Sequence, residues 1–202
     1  MNPRNMGGDE LPLSLSTKPV VGYRLWRVYP DEHGMALRSL NVNHTWAVDN
    51  TAQCFIPQVW PWPNMGIPKH DDPAPSLSCQ CGFYCALPEH PLQEWAHVVA
   101  GLVHASGSVA LTGRVIRCTL GFKAEHATIQ SPVVLDVDCG WTPTCSADVT
   151  RVEVLTAAIR GWCDEHTPRQ GAVIEAVSFF REAVRQLSAR YPTLEFISWM
   201  TF

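Results

Sequence analysis

The 202-residue sequence has no run of about 18 apolar residues, which excludes an ordinary transmembrane helix. Residues 1–18 (MNPRNMGGDELPLSLSTK) lack the apolar centre of an export signal and read as a loose arm. Charge is also scarce: 17% of residues are charged and the formal net charge is −4. A chain that coats nucleic acid or an anionic membrane needs a surplus of cations, so neither is favoured as its main role. There is no internal repeat. No Gly-x-Ser-x-Gly, phosphate loop, dinucleotide fingerprint or His-Glu-x-x-His occurs, so no catalytic signature can be read directly.

What is present is enough apolar residue, 46%, for a real core. Eight cysteines (54, 79, 81, 85, 118, 139, 145 and 163) accompany it. With no export signal the expected compartment is the cytoplasm, where disulfides are rare, so the thiols are either core residues or metal ligands.

Residues 20–28 (VVGYRLWRV) are β-branched and aromatic and read as a strand, followed by a turn between Pro30 and Gly34. MALRSL and TAQCF are further short strand candidates. Residues 56–78 carry six prolines, which excludes regular helix or central strand and leaves a long loop. Pro91 is placed to open a helix over LQEWAHVVA. Residues 101–130 read as sheet, with a hairpin turn at Ala105-Ser106-Gly107-Ser108 and another at Leu120-Gly121. In this run Val109, Leu111 and Val115 fall on one strand face, and Ala110, Ile116 and Cys118 on the other. PVVLDVDC is the next strand. Thr150-Arg151-Val152-Glu153 has the form of a capping box and predicts a helix with Val152, Leu155, Ile159 and Trp162 inward. Thr167-Pro168-Arg169-Gln170 predicts a second helix, buried along Val173, Val177, Phe180, Val184, Leu187 and Tyr191 and ended by Pro192. LEFISW closes as an edge strand.

Cys139, Cys145, Cys163 and His166 surround the first of these predicted helices. Zinc takes soft or borderline ligands in a tetrahedron, with pairs presented from short turns. Cys163 and His166 are three apart and can face the same way. Cys139 and Cys145 flank Gly-Trp-Thr-Pro-Thr, wider than the usual two to four residues. A second candidate set, Cys54, His70, Cys79 and Cys81, brackets the proline-rich loop, where an ion would order a segment with much entropy to lose. Cys85, Cys118, His44 and His90 are substitutes for members of that set. For both sets the alternative is buried thiols with unrelated histidines. Trp60 and Trp62, set between prolines in the loop, are either a surface for a protein partner or caps on the core.

Two other constellations were weighed. Lys123, Glu125 and His126 share one predicted strand; a glutamate beside a metal-bound water can act as a general base, but alternating polar residues also describe a solvated strand face. Arg24, Arg27 and Arg38 lie near Tyr23 and Trp26, and the last helix carries Arg181, Arg185 and Arg190. Over residues 150–202, six arginines face six acids, which leaves no net field for phosphate.

Cys79-Gln80-Cys81-Gly82-Phe83-Tyr84, Gly113-Arg114-Val115, Gly121-Phe122-Lys123-Ala124-Glu125 and Cys163-Asp164-Glu165-His166, with GYRLWRV and His70-Asp71-Asp72-Pro73 before them, stand in an order that resembles a group of uncharacterised proteins of actinobacteria and their phages. The resemblance spans residues 20–170. It implies an intracellular protein with metal-type motifs and no assigned activity, and a histidine in the family at the position of Cys118.

The sequence thus predicts an α+β protein: an arm over 1–18, a β-rich, mostly antiparallel core over 19–138 containing the loop at 56–78, and a metal-pinned helical segment over 139–202. One or two structural zinc ions, a protein partner and no membrane association are expected. The expected role is interaction or regulation, phage-encoded if the resemblance holds. A metal-dependent hydrolase with an open site at Cys54, His70, Cys79 and Cys81 is the second reading, and a zinc-containing nucleic-acid binder the third.

Overall fold

A computed structural model describes residues 11–13, 18–40, 44–52, 74–76, 81–87, 99, 101–140, 145–155, 158–168, 172–198 and 200. Among these the chain is strand-rich with one helix, and its residues group into two compact units. Strands β2 (Val20–Asp31) and β6 (His104–Cys118) each contribute residues to both. Among the described residues no helix is long and apolar enough to cross a membrane.

The first unit holds residues 1–24, 49–91 and 108–129. Its centre is the antiparallel hairpin of β6 with β7 (Gly121–Ile129), joined at Thr119 and Leu120, one residue before the expected Leu120-Gly121 turn. Strands β4 (Asp49–Thr51) and β5 (Phe83–Ala86) pair antiparallel with β7, and β1 (Leu11–Leu13) with β6. The hairpin is not regular. Thr112 pairs with His126 and Val115 with Ala124, so two residues of β6 oppose one of β7. Gly113, at φ +73°, takes the left-handed conformation this bulge requires. The extra residue reverses the side-chain alternation beyond it. Ile116 and Cys118 therefore join Val109 and Leu111 on one face, and Val115 moves to the face of Ala110, which corrects the strict alternation expected from sequence.

The second unit holds residues 25–48, 92–107 and 130–202. Here β2 pairs with β3 (Gly34–Arg38) through a turn at Glu32 and His33. The start of β6 pairs antiparallel with β8 (Val133–Asp136), and β12 (Phe196–Ser198) adds to β8 in parallel at the edge. Ala105-Ser106-Gly107-Ser108 is thus strand rather than turn.

The largest correction falls on residues 150–175. No helix follows Thr150. Arg151–Val154 is strand β9, Ile159–Trp162 is β10 and Val173–Glu175 is β11, forming a three-stranded antiparallel sheet in the order β10-β9-β11. Val152 and Ile159 are almost fully buried on one face. Glu153 stands opposite Arg160 and accepts the indole N–H of Trp162 at 3.2 Å, so the residue that looks like a capping glutamate works across strands. Tertiary pairing of β-branched residues outweighs a local helix-start pattern.

Helix α1 (Ala176–Arg190) starts later than Thr167 predicts. Its buried residues are Ala176, Phe179, Phe180, Ala183 and Leu187, with Tyr191 just beyond. Val177 is 47% exposed. The packed face is rotated from the expected stripe because it buries both phenylalanines, the largest apolar areas available, against which two alanines allow close approach. Tyr191 donates its hydroxyl to the Trp46 carbonyl at 2.9 Å and accepts the Leu37 N–H at 3.1 Å, tying the end of α1 to β3.

Candidate metal centre

Strand β8 runs out through Val137 and Asp138 to Cys139, which bridges in parallel to Gly161 of β10. The Gly140 N–H donates to the Gly161 carbonyl at 2.7 Å, and the Gly161 N–H to the Gly101 carbonyl at 3.1 Å. Three glycines meet here because the backbones approach too closely for a Cβ. One built on Gly161 stands 2.5 Å from Val137 Cγ2 and 3.0 Å from the Asp138 carbonyl oxygen, and one built on Gly101 overlaps the Cα of Gly140. A glycine needed for close approach looks in sequence like any other, so neither Gly101 nor Gly161 stands out there.

Cys163 follows β10 directly. Its carbonyl accepts the His166 N–H at 3.1 Å and the Thr167 hydroxyl at 2.8 Å, closing a tight turn over Asp164, Glu165 and His166. Thr150, which the sequence offered as a helix cap, donates instead to Asp164 Oδ1 at 2.6 Å and fastens that turn to the base of β9. Cys145 comes in from the segment preceding β9.

These elements bring Cys139, Cys145, Cys163 and His166 together, all within 4.8 Å of one another through their ligand atoms. The sulfur of Cys163 lies 3.7 Å from that of Cys139 and 3.9 Å from that of Cys145. His166 Nδ1 lies 3.6 Å from both Cys139 and Cys145, and 3.1 Å from Cys163. With metal–sulfur bonds of about 2.3 Å and a metal–nitrogen bond of about 2.0 Å, a tetrahedron has S···S edges of about 3.8 Å and S···N edges of about 3.5 Å. Of these five measured edges, four lie at these distances and the Cys163–His166 edge is somewhat short; the sixth, Cys139–Cys145, is within 4.8 Å. These residues can hold a metal ion. Cys139 and Cys163 are buried, and Cys145 and His166 half-buried. In the metal-free chain the Ala147 backbone N–H favours the Cys145 thiolate, but lost solvation and the thiols of Cys139 and Cys163 outweigh it and hold the thiol above its ordinary value. A bound cation reverses that balance, because it neutralises the thiolates it gathers. No disulfide joins the six cysteines among the described residues.

Of the second set, Cys54, His70 and Cys79 lie outside the described residues, as do Trp60, Trp62 and the substitute His90. Cys81 is half-buried ahead of β5 in the first unit. Cys85 and Cys118 are core thiols there, 4% and 3% exposed. Burial pushes the Cys85 thiol up to about 12, against a smaller opposing pull from Arg24. His44 sits in the second unit, edge-on to Trp46 at 6.2 Å.

Lys123, Glu125 and His126 do not form an exposed strand face. Lys123 is 2% exposed. Glu125 turns back to accept the Arg114 N–H at 3.1 Å, so its carboxylate caps the bulge. His126 Nδ1 is 3.1 Å from the Thr51 hydroxyl. The arginines are half-buried alike, but only Arg24 donates to the Tyr84 carbonyl, while Arg27 and Arg38 face each other across β2 and β3. Comparison with known proteins finds no matching family model, no matching curated protein and no matching solved structure.

Proposed function

We infer that this is a zinc-stabilised interaction or regulatory protein of the cell interior, in which a structural zinc ion ties the β9–β10 hairpin to the end of β8. The observation that carries the reading is the tetrahedral set of Cys139, Cys145, Cys163 and His166. Three thiolates with one imidazole are a characteristic structural zinc set, and four protein ligands fill the coordination sphere and leave no position for a reacting water. A closed site on a small sheet holds a surface in shape. The Cys163-x-x-His166 pair, which contributes two of the four ligands, is also one of the motifs that carry the resemblance to uncharacterised actinobacterial and phage proteins. No arrangement among the described residues favours hydrolysis over this reading.

The test is elemental mass spectrometry on the full chain purified reduced and without chelator. One zinc per chain is expected, lost in Cys163→Ser, with a lowered melting temperature after chelation. Wild-type protein without metal, or Cys163→Ser that keeps its full zinc content, refutes the assignment.

A further inference from the structure

We propose that Arg27 and Arg38 form a binding site for a dianionic tetrahedral oxyanion, the phosphate group of a monoester. The two residues are direct partners across the antiparallel β2–β3 pair, so both side chains leave the same face of the sheet. Like charges placed opposite each other repel, and a fold normally offsets that with a carboxylate between them. Here none serves. Neither guanidinium forms an ion pair with any described carboxylate. The Nε atom of each is buried and has no hydrogen-bond partner. Asp31, the carboxylate of β2 on the same face, is already held by Arg190 at 2.9 Å through both oxygens.

The site is also preorganised. Tyr29 stands two residues from Arg27 on that face, and the Arg38 guanidinium stacks over its ring at 3.9 Å from the centroid. Stacking fixes the plane of one guanidinium and leaves its edge donors for a ligand. Two fixed positive charges match a group of charge near −2. A carboxylate neutralises only one of them, whereas a phosphate monoester offers enough charge and enough oxygens for two planar forks. This site is independent of the zinc assignment.

The test is calorimetric titration of the metal-loaded full chain with inorganic phosphate and with glycerol phosphate, at fixed ionic strength set by chloride. Both are expected to bind the wild type, and at least tenfold more weakly Arg27→Gln and Arg38→Gln. Unchanged affinity in either variant overturns the site. Arg38→Glu gives a second readout that needs no ligand: it places a carboxylate opposite Arg27, so the ligand-free protein is expected to melt higher than wild type, and a lower melting temperature shows that the arginine pair is already compensated. A single-stranded oligonucleotide carrying only phosphodiesters is the third probe; if it binds while inorganic phosphate does not, the dianion assignment falls and the face reads a polymer backbone instead.

Discussion

Replacing Gly161 by alanine tests whether the contact between β10 and the segment carrying Cys139 sets the metal geometry. The added Cβ would stand 2.5 Å from Val137 Cγ2, 3.0 Å from the Asp138 carbonyl and 3.0 Å from Val149 Cγ1. Carbon atoms settle at about 3.5–4.0 Å, so one partner must move by about 1 Å. Overpacking of this kind costs about 1–3 kcal/mol, and for a chain of this length each kcal/mol lowers the melting temperature by about 2–4 °C. The movement matters more than the energy. Cys139 bridges to Gly161 and Cys163 lies two residues beyond it, so the wedge opens the 3.7 Å edge between their sulfurs. Metal sites tolerate deviations of about 0.2 Å in ligand distance, several times less than the required shift. Competition titration against a chromophoric chelator, under reducing conditions, is therefore expected to show at least tenfold weaker metal binding. The control is Leu187→Ala, which removes a fully buried helix side chain at a cost of about 2–5 kcal/mol without touching the β10–Cys139 contact. It should lose more stability and keep its metal affinity. Wild-type affinity in Gly161→Ala, or equal loss in both variants, refutes the reasoning.

Arg190 beside Asp31 holds that carboxyl below the usual carboxylate range, first through the hydrogen bond and then through charge. A depressed carboxylate stabilises the fold above its unfolded value, about pH 4, and the contribution fades as pH falls through the lower folded value. Asp31→Asn should cost about 1 kcal/mol at neutral pH and close the gap to wild type in acid unfolding below about pH 4; a constant difference across pH contradicts this. The Cys85 thiol, raised to about 12 by burial, is expected to resist alkylation at pH 8 in the folded chain, and mass mapping that finds it modified as fast as in denaturant would disprove its place in the core. Gly113→Ala forces a side chain onto φ +73° and brings its Cβ to 2.7 Å from Glu125 Oε2, so chemical denaturation should show a loss of about 1–2 kcal/mol; an unchanged midpoint would mean that the bulge does not need glycine.

The strands at 20–28, 35–38 and 133–136 were legible because β-branched and aromatic residues recur between turn-forming ones, whereas the strand at 83–86 was not read. The C-terminal ligand set was legible for a chemical reason: cysteine and histidine three apart, with two more cysteines upstream, name a metal whatever lies between them. What lies between was misread. Thr-Arg-Val-Glu suits a helix start and a strand equally well, and only partners distant in sequence choose between them: Trp162 and Arg160 opposite β9, and Ile174 beside Val152. The rotated face of α1 has the same cause, since a stripe of three- and four-residue steps admits overlapping faces and packing selects the one with two phenylalanines. The bulge at Gly113 reversed a strand face because alternation is counted along one chain, while register is fixed by two. By itself, the sequence determined which residue types could serve as ligands, several of the strands and the scarcity of charge, each a property of residue type or local spacing. Only the tertiary structure decided that Gly101, Gly140 and Gly161 meet beneath the ligands, that Asp31 belongs to Arg190, and that Arg27 faces Arg38, because each depends on which distant backbones come within a few ångströms of one another.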